Sequence, residues 1–302
     1  MRNFGFKLSC MDRKFWVTTI CISVACVAIG VTAGILIGQE FFHQDIDYAN
    51  MDIEHLEDDN DALYQKYQKT DSSKYKSTFK HYELVNISLK KVSEHANVYT
   101  VGRGAVDAAG VKQTVRSNYV KNGDSMFFEN ISASSLVQVA WRFYQKGEEV
   151  NIYEGSYKDI ESASYSDGKK QSLNKGDYDN TWGKDLTRPS IYIVSSKTVL
   201  DGSVSDNNGG YIVSLDLNPS YSVARYVKQM INVSGLKKEP TFESVHIDYT
   251  LDSDLTLKQI SIKEHYEVSM FGVHDSIGTL VEDFTYDSEK PVPAISENAI
   301  YN

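Results

Sequence analysis

Apolar and polar side chains alternate from residue 97 onward, and this alternation constrains the fold more than any other feature. In the run SSLVQVAWRFYQKGEEVNIYEG, Val137, Val139, Trp141 and Phe143 share one parity, whereas the other parity is mostly polar. Successive side chains of a β-strand point to opposite faces, so the run predicts a strand with one strongly apolar face. Similar runs follow with short turns between them, which predicts adjacent antiparallel hairpins. We therefore predict a mainly β fold of the α+β type.

Turn residues separate these predicted strands. The pair Asn122 and Gly123 strongly favours a type I′ hairpin turn, and Gly147 marks the next turn. Residues 189–200 have a strand pattern. Residues 201–210, DGSVSDNNGG, are predicted to form a turn because Asp, Asn and Gly dominate them.

Two segments depart from simple alternation. Residues 155–189 are poor in apolar side chains, so we expect either a long loop or one weak edge hairpin there. Leu257 has one parity, whereas Ile260 and Ile262 have the other. A β-bulge near Lys258–Gln259 would reconcile the two parities.

Two other segments have helical periodicity. Residues 78–96 place five apolar side chains near helical spacing, namely Leu84, Val85, Ile87, Leu89 and Val92. A second helix is predicted from Pro219, with Asn218 as its N-cap and Gly235 at its end. The apolar stripe of the second helix consists of Val223, Val227, Met230 and Ile231.

An uncharged apolar run precedes the β-rich region. It extends from Phe15 to Gly38, and at about 1.5 Å per residue a helix of this length crosses a hydrocarbon core of about 30 Å. Basic residues predominate before the run and acidic residues after it, which places the N-terminus in the cytoplasm. We predict a cytoplasmic tail at 1–14, a single-pass transmembrane helix at 15–38 and an extracytoplasmic remainder at the plasma membrane.

Two alternatives to an uncleaved anchor remain open. A lipobox can be read at Cys26, although Ser23 stands where leucine is usual, and the signal-peptidase pattern in residues 32–38 is weak. The other cysteines, Cys10 and Cys21, also precede the β-rich region. That region must therefore be held by its core rather than by disulfides. Such cysteine usage is typical of Gram-positive-type bacterial envelope proteins, and we place the chain in such an envelope.

Residues 39–77 are polar and acidic, and the whole chain has 31 basic and 41 acidic side chains with a net charge of −10. We interpret 39–77 as a solvated stalk that carries a folded domain at 78–302. A negative chain without a basic patch disfavours phosphate backbones, so we exclude nucleic acid as a partner. The EDDND run lacks the glycine and closing glutamate of an EF-hand, so we expect no metal site.

The common sequence motifs of catalysis are absent. The chain has no G-x-S-x-G, H-E-x-x-H, Walker or G-x-G-x-x-G motif, and no cysteine follows Cys26. His246 and Asp248 alternate along one predicted strand, and His265 lies between Glu264 and Glu267. We interpret these positions as polar and solvent-facing. The sequence therefore favours a protein that is not an enzyme and needs no cofactor.

The order of elements is a helix, a meander, an amphipathic helix, a second meander and a proline-containing end. Four runs carry this order: ELVNISLKKVSEHANVYTVGRG, YIVSLDLNPSYSVARYVKQM, VHIDYTLDSDLTLKQISIKEHYEV and FTYDSEKPVPAI. In these runs residues 78–296 resemble the LolA/LppX/RseB-like lipoprotein-carrier superfamily. The resemblance implies a curved antiparallel sheet, or half-barrel, with one or two helices packed on its concave face.

The resemblance also implies a place for a ligand. The candidate apolar lining consists of Val137, Val139, Trp141, Phe143, Val223, Val227, Met230 and Ile231. The same side chains are also compatible with a filled protein core. A membrane anchor rules out a free shuttle, so we expect a tethered extracytoplasmic binding protein for a lipid, an acyl chain or a lipoprotein. The alternative is a protein-interaction or sensor ectodomain of a cell-envelope complex.

Overall fold

A computed structural model describes residues 47–48, 51–108, 111–134, 138–156, 170–182, 186–187, 189–234, 238–269, 273–287 and 290–293. The predicted cytoplasmic tail, transmembrane helix and three cysteines lie outside these residues, as do Val137 and Gly235. Within the described residues, no helix is both long enough and apolar enough to cross a membrane.

In the part of the chain that the structure describes, eleven antiparallel strands form one open sheet. They are β1 (Asn97–Ala108), β2 (Val111–Asn122), β3 (Ser125–Ala133), β4 (Gln138–Lys146), β5 (Glu149–Ser156), β6 (Lys170–Asn174), β7 (Val199–Asn207), β8 (Gly210–Leu217), β9 (Thr241–Leu251), β10 (Leu257–Ser269) and β11 (Val273–Tyr286). Their order across the sheet is β6-β5-β4-β3-β2-β1-β11-β10-β9-β8-β7. Two meanders are thus joined through β1 and β11. The prediction of a mainly β fold is confirmed, whereas the half-barrel curvature stays a prediction.

The strand register defines two faces of this sheet. Phe143 pairs with Phe128, and the register continues through Tyr119 and Thr100 to Phe284. Because directly paired residues of antiparallel strands share a face, we call the face of Phe143 the inner face and the opposite one the outer face. On β9 the inner face carries four buried side chains, Val245, Ile247, Tyr249 and Leu251. The predicted alternation is confirmed in this strand.

Helices pack beside the sheet. They are α1 (Asn60–Gln68), α2 (Tyr75–Thr78), α3 (His81–Glu94), α4 (Lys175–Trp182), α5 (Pro219–Ser222) and α6 (Ala224–Ser234), with 3₁₀ turns at Glu54–Leu56 and Ser72–Lys74. Helix α3 packs on β7, β8 and β10, and α5 packs on β9. Helix α4 packs on β5 and β6 and also contacts α6. The helix layer therefore reaches both ends of the sheet.

The two predicted helices are present, with one change. Helix α3 lies within the predicted range 78–96. At the second helix Asn218 Oδ1 accepts a hydrogen bond from Ser220 N at 3.1 Å, so the predicted N-cap is confirmed. Val223 has φ −94° and ψ 3°, and this non-helical residue divides the predicted single helix into α5 and α6.

Three loop predictions change. The poorly apolar segment 155–189 contains β6 and helix α4, and residues 190–198 are irregular rather than a strand. Residues 201–207 belong to β7, so the turn predicted over 201–210 is confined to Asn208 and Gly209. Thr198 Oγ1 accepts from Ser195 N at 2.9 Å and donates to Ile193 O at 2.7 Å. Side-chain bonds of this kind offer the backbone an alternative to a strand ladder.

The hairpin turns also differ from the prediction. The β2–β3 turn has Gly123 and Asp124 as its central residues, and only Gly123 has a positive φ, of 60°. This is the pattern of a type II′ turn, so the predicted type I′ turn is wrong there. Both central residues of the β7–β8 turn, Asn208 and Gly209, have positive φ, at 47° and 86°, as a type I′ turn requires. The predicted bulge is confirmed by a register shift between Leu257 and Gln259.

Residues 51–77 pack on the sheet domain and differ in this from the predicted solvated stalk. Leu56 and Tyr75 are buried in the same cluster as residues of β8 and β9. The acidic side chains cap helices and form ion pairs, since Asp59 caps α1 and Glu57 lies 2.8 Å from Arg225. The folded domain therefore extends N-terminal of residue 78.

Two hydrophobic clusters occupy the two ends of the inner face. The large cluster joins the helices α3 and α6 to β8, β9 and β10, with Leu84, Val227, Leu215, Ile247 and Tyr266 among its buried members. The aromatic cluster consists of Met126, Phe128, Trp141, Phe143, Val150, Ile152, Tyr178, Trp182 and Leu186. The middle of the inner face lies between these clusters.

Candidate functional site

A cavity of about 110 Å³ lies in the middle of the inner face. Its floor comes from β1, β2, β3, β10 and β11, and its roof from α6 and the segment 189–192. The apolar side chains of the floor are Val106, Val115, Phe128, Ile260, Ile262 and Leu280. Ile260 belongs to the large cluster and Phe128 to the aromatic cluster, so the cavity borders both clusters.

Two larger clefts lie beside α6. One of about 750 Å³ has a largely polar lining that includes Glu57, Asp179, Arg225 and Lys228. The other has about 360 Å³ and shares Pro189, Ser190 and Tyr192 with the cavity. The segment 189–192 therefore forms a partition between this second cleft and the cavity.

Glu264 on β10 is a buried carboxylate that lines the cavity. Its side chain is on the inner face and the residue is 6% exposed. Glu264 Oε2 accepts a hydrogen bond from Tyr192 Oη at 2.6 Å, and Oε1 accepts one from Tyr226 Oη at 3.1 Å. Burial raises the pKa of Glu264 to about 7, and the two tyrosine hydrogen bonds act in the opposite direction. Glu264 therefore changes its charge near neutral pH.

Gly278 on β11 makes room for this carboxylate. Gly278 and Glu264 are direct partners in the β10–β11 register. A Cβ atom at position 278 would lie 2.6 Å from Glu264 Oε1, which is closer than non-bonded atoms approach. A larger residue at 278 would therefore displace the carboxylate.

The roof is held by aromatic packing and a backbone hydrogen bond. The rings of Tyr192 and Tyr226 lie 5.5 Å apart, and Tyr226 also contacts Phe242 at 5.6 Å. Ile193 N donates to Ser222 O at 2.9 Å, which ties the segment 189–192 to α5. The two tyrosine hydroxyls are thereby positioned over Glu264.

Two further acceptors line the cavity at a distance from Glu264. Asn130 on β3 is 6% exposed, and its Oδ1 atom has no hydrogen-bond partner in the described part of the chain. Glu282 on β11 accepts a hydrogen bond from Thr100 Oγ1 at 2.5 Å. Carboxylate and amide oxygens therefore predominate over donors among these side chains.

The strand residues that the sequence predicted as ligand lining lie in the aromatic cluster. Trp141 and Phe143 are buried there, and their rings lie 5.6 and 5.4 Å from the ring of Trp182. Of Val139 only the backbone is described, in β4, and Val137 lies outside the described residues. Helix α4, which the sequence did not predict, supplies the partner rings. A ligand-lining role for these residues stays a prediction.

The predicted helix residues lie in the large cluster. Val223, Val227 and Met230 are buried there, and Ile231 packs against it. From the same helical segment Tyr226 and Gln229 reach the cavity instead. The structure thus places the predicted strand residues and helix residues on opposite sides of the cavity rather than together.

The sequence contained one signal for Glu264 that its neighbours obscured. Glu264 shares its parity with Ile260, Ile262 and Tyr266, so the alternation assigned an acid to the apolar face. The prediction that Glu264 faces solvent is therefore wrong. No sequence pattern could have predicted that Tyr192 bonds to Glu264, because Tyr192 lies in an irregular segment without periodicity.

The histidines of the outer face fit the prediction of solvent-facing polar positions. His246 Nδ1 lies 2.7 Å from Asp216 Oδ1, and the His246 side chain is 43% exposed. The hydrogen bond with Asp216 raises the pKa of His246. Among the residues that the structure describes, no group of three or more His, Cys, Asp or Glu side chains is arranged to hold a metal ion.

No protein-family model and no curated protein matches the chain. The crystal structure of a DUF1329 family protein from Desulfovibrio piger is similar over 70% of this chain and 93% of its own, with 10% identity and a TM-score of 0.25. The crystal structure of MucB in complex with MucA(peri) is similar over 68% of this chain and 94% of its own, with 6% identity and a TM-score of 0.12. TM-scores this low carry no argument about fold or function, so the resemblance to the lipoprotein-carrier superfamily stays a prediction.

Proposed function

We propose that this chain is a membrane-tethered extracytoplasmic binding protein without catalytic activity, which holds the aliphatic part of a lipid, acyl chain or lipoprotein in the cavity beneath α6. The observation that carries the proposal is the space of about 110 Å³ between two packed clusters on one sheet. Protein interiors are normally filled by side chains. An aliphatic floor with a few convergent polar groups is typical of small-ligand sites.

The size of the cavity limits what it holds in this conformation. Its volume is about 110 Å³, whereas sites for drug-sized ligands have about 300–1,000 Å³. Movement of the segment 189–192 would join the cavity to the adjacent cleft of about 360 Å³. We therefore expect a ligand to place one chain end on the floor and to displace this segment as it enters.

Native mass spectrometry of the full chain, released from its own membrane, tests the proposal together with lipid extraction. Leu280→Trp fills the floor, and Val281→Trp adds the same bulk at the next residue, on the outer face. We expect a co-purified aliphatic ligand with the wild type and Val281→Trp, and none with Leu280→Trp. A wild type without ligand, or equal ligand in Leu280→Trp, would contradict the proposal, provided circular dichroism shows a folded variant.

The second candidate function, a protein-interaction or sensor ectodomain of a cell-envelope complex, has one supporting observation. The outer face of β11 carries an exposed apolar side chain at every fourth residue. These are Val273, Ile277 and Val281, which are 68%, 46% and 37% exposed. Exposed apolar side chains in a row are typical of protein-contact surfaces. If this function holds, Ile277→Asp will abolish cross-links to a partner in the producing cell, whereas Leu280→Trp will leave them intact.

A further inference from the structure

The cavity contains a carboxylate, that of Glu264, which has no cationic neighbour among the residues that the structure describes. Glu264 accepts hydrogen bonds from the neutral hydroxyls of Tyr192 and Tyr226. Among the described residues that line the cavity there is no Lys, Arg or His side chain, and no described basic group lies within ion-pair distance of Glu264. The charged form of a buried carboxylate is costly unless a cation compensates it.

The hydrogen bonds in the cavity favour a ligand that donates. Both oxygens of Glu264 already accept from tyrosine, which is the arrangement that a carboxylate uses. Across the floor, the buried Oδ1 atom of Asn130 has no partner among the described residues, and Glu282 adds a second carboxylate. A ligand with a carboxylate or phosphate group would meet like charge here, whereas an ammonium group would meet acceptors.

The floor between these acceptors is aliphatic. Glu264 and Glu282 lie on adjacent strands, with Ile262 and its direct partner Leu280 between them. Both branched side chains line the cavity. An aliphatic chain can therefore lie on Ile262 and Leu280 while its polar end remains beside Glu264.

We propose that the cavity selects an aliphatic ammonium compound, whose ammonium group pairs with Glu264 and whose chain lies on Ile262 and Leu280. This inference rests on the proposed binding function and names the class of polar group that the ligand carries. The pair would consist of a carboxylate and a charged donor in a site shielded from water, where such a hydrogen bond is stronger than at a surface.

The pairing makes binding depend on pH. The titratable groups on the same face around Glu264 are Tyr192, Tyr226, Tyr249, Tyr266 and Glu282. Burial raises the pKa of Tyr192 and of Tyr249, so these hydroxyls stay neutral. Alkylammonium groups titrate near pH 10, at about 10.4 for lysine. Glu264 is therefore the group whose raised pKa places its titration near neutral pH, and affinity for an amine will rise as its carboxyl group ionises.

The experiment compares pentylamine, pentanol and pentanoate, which share one chain length, by isothermal titration calorimetry of the full chain in nanodiscs, with empty nanodiscs as the blank. At about pH 8 we expect pentylamine to bind about tenfold more tightly than pentanol, and pentanoate more weakly than either. Glu264→Gln removes the charge and keeps an acceptor. It should abolish the preference for the amine, so that pentylamine binds no more tightly than pentanol. Glu267→Gln makes the same substitution on the outer face of β10 and should change neither affinity.

A second measurement on the wild type needs no variant. Between about pH 8 and about pH 5.5 the affinity for pentylamine should fall about tenfold, while that for pentanol stays constant. Pentanol binding without a preference for the amine, or a preference that survives Glu264→Gln, would overturn this inference alone. Failure of all three ligands to bind would overturn the proposed function as well.

Discussion

The two ends of the inner face are packed in different ways. The large cluster joins mainly aliphatic side chains of β8, β9 and β10 to α3 and α6. The aromatic cluster is built from the rings of Trp141, Phe143, Tyr178 and Trp182, with centroid distances of 5.4 to 6.4 Å. At about 4.8 Å between strands, ten spacings span about 48 Å, which is far wider than one helix of about 10 Å. Each end therefore needs its own helices, and the cavity lies where the helices over one end meet those over the other.

The largest expected effect comes from breaking the aromatic cluster. Phe143 is fully buried against Tyr178 and Trp182. Phe143→Ala removes these ring contacts and leaves a hole, so the free energy of unfolding should fall by about 4 kcal/mol. Urea unfolding followed by circular dichroism measures this loss. A loss below about 1 kcal/mol would show that the cluster contributes little.

A change in the large cluster tests whether the two ends unfold together. Ile247 is fully buried in the large cluster, so Ile247→Ala should cost about 3 kcal/mol. Trp141 and Trp182 both lie in the aromatic cluster, so their fluorescence reports on the other end when Trp16→Phe is the background. Because β1 and β11 join the meanders in one ladder, the fluorescence midpoint should fall together with the circular dichroism midpoint. An unchanged fluorescence midpoint would show two independent units.

Glu264, which lies between the two ends, makes the free energy of unfolding depend on pH. Its folded-state pKa of about 7 lies above the usual glutamate value of 4.5 because the group is buried, so the folded state binds the proton more strongly than the unfolded chain. The wild type should therefore lose up to about 3 kcal/mol of stability as pH rises from about 4.5 to about 7. Glu264→Gln should lack this loss, whereas Glu267→Gln should retain it. Parallel stability curves for wild type and Glu264→Gln would contradict the buried, cavity-facing position of the carboxylate.

The smallest expected effect concerns the start of the roof. Asn218 caps α5, the helix to which Ile193 N is bonded. Asn218→Ala should lower the unfolding free energy by about 1 kcal/mol, because one N-terminal amide loses its partner. Hydrogen exchange should quicken at Ile193 and remain unchanged in α4 at the other end. Equally faster hydrogen exchange in α4 would show that the helices over the two ends do not open independently.

Local pattern accounts for the parts of the fold that the sequence predicts. The alternation of β9 and the bulge at Leu257 follow from side-chain parity, which each strand carries within itself. Helix α4 was missed because only Tyr178 and Trp182 are buried in it, which is too short a stripe to read as periodic. Its capping signal was present, since Asn174 Oδ1 accepts from Asp177 N at 2.8 Å. A cap alone does not distinguish a helix from a turn.

The candidate site depends on distances that no local pattern contains. Parity already assigned Glu264 to the apolar face, and that part could be predicted. Tyr192, Tyr226 and Glu264 come from an irregular segment, a helix and a strand, and only the pairing of β10 with β11 and the packing of α6 bring them together. The space between the clusters is likewise a property of how the two helix groups cover a wide sheet. The sequence therefore predicted the faces of the strands but not the cavity between them.

Methyl NMR of the full chain during titration with pentanol shows most directly whether a ligand binds between the two clusters. We expect shift changes at Ile262 and Leu280 on the cavity floor. We expect none at Ile152 in the aromatic cluster, Ile247 in the large cluster or Ile277 on the outer face. Changes confined to Ile152 or Ile277, or no changes at saturating pentanol, would contradict a ligand site between the two clusters.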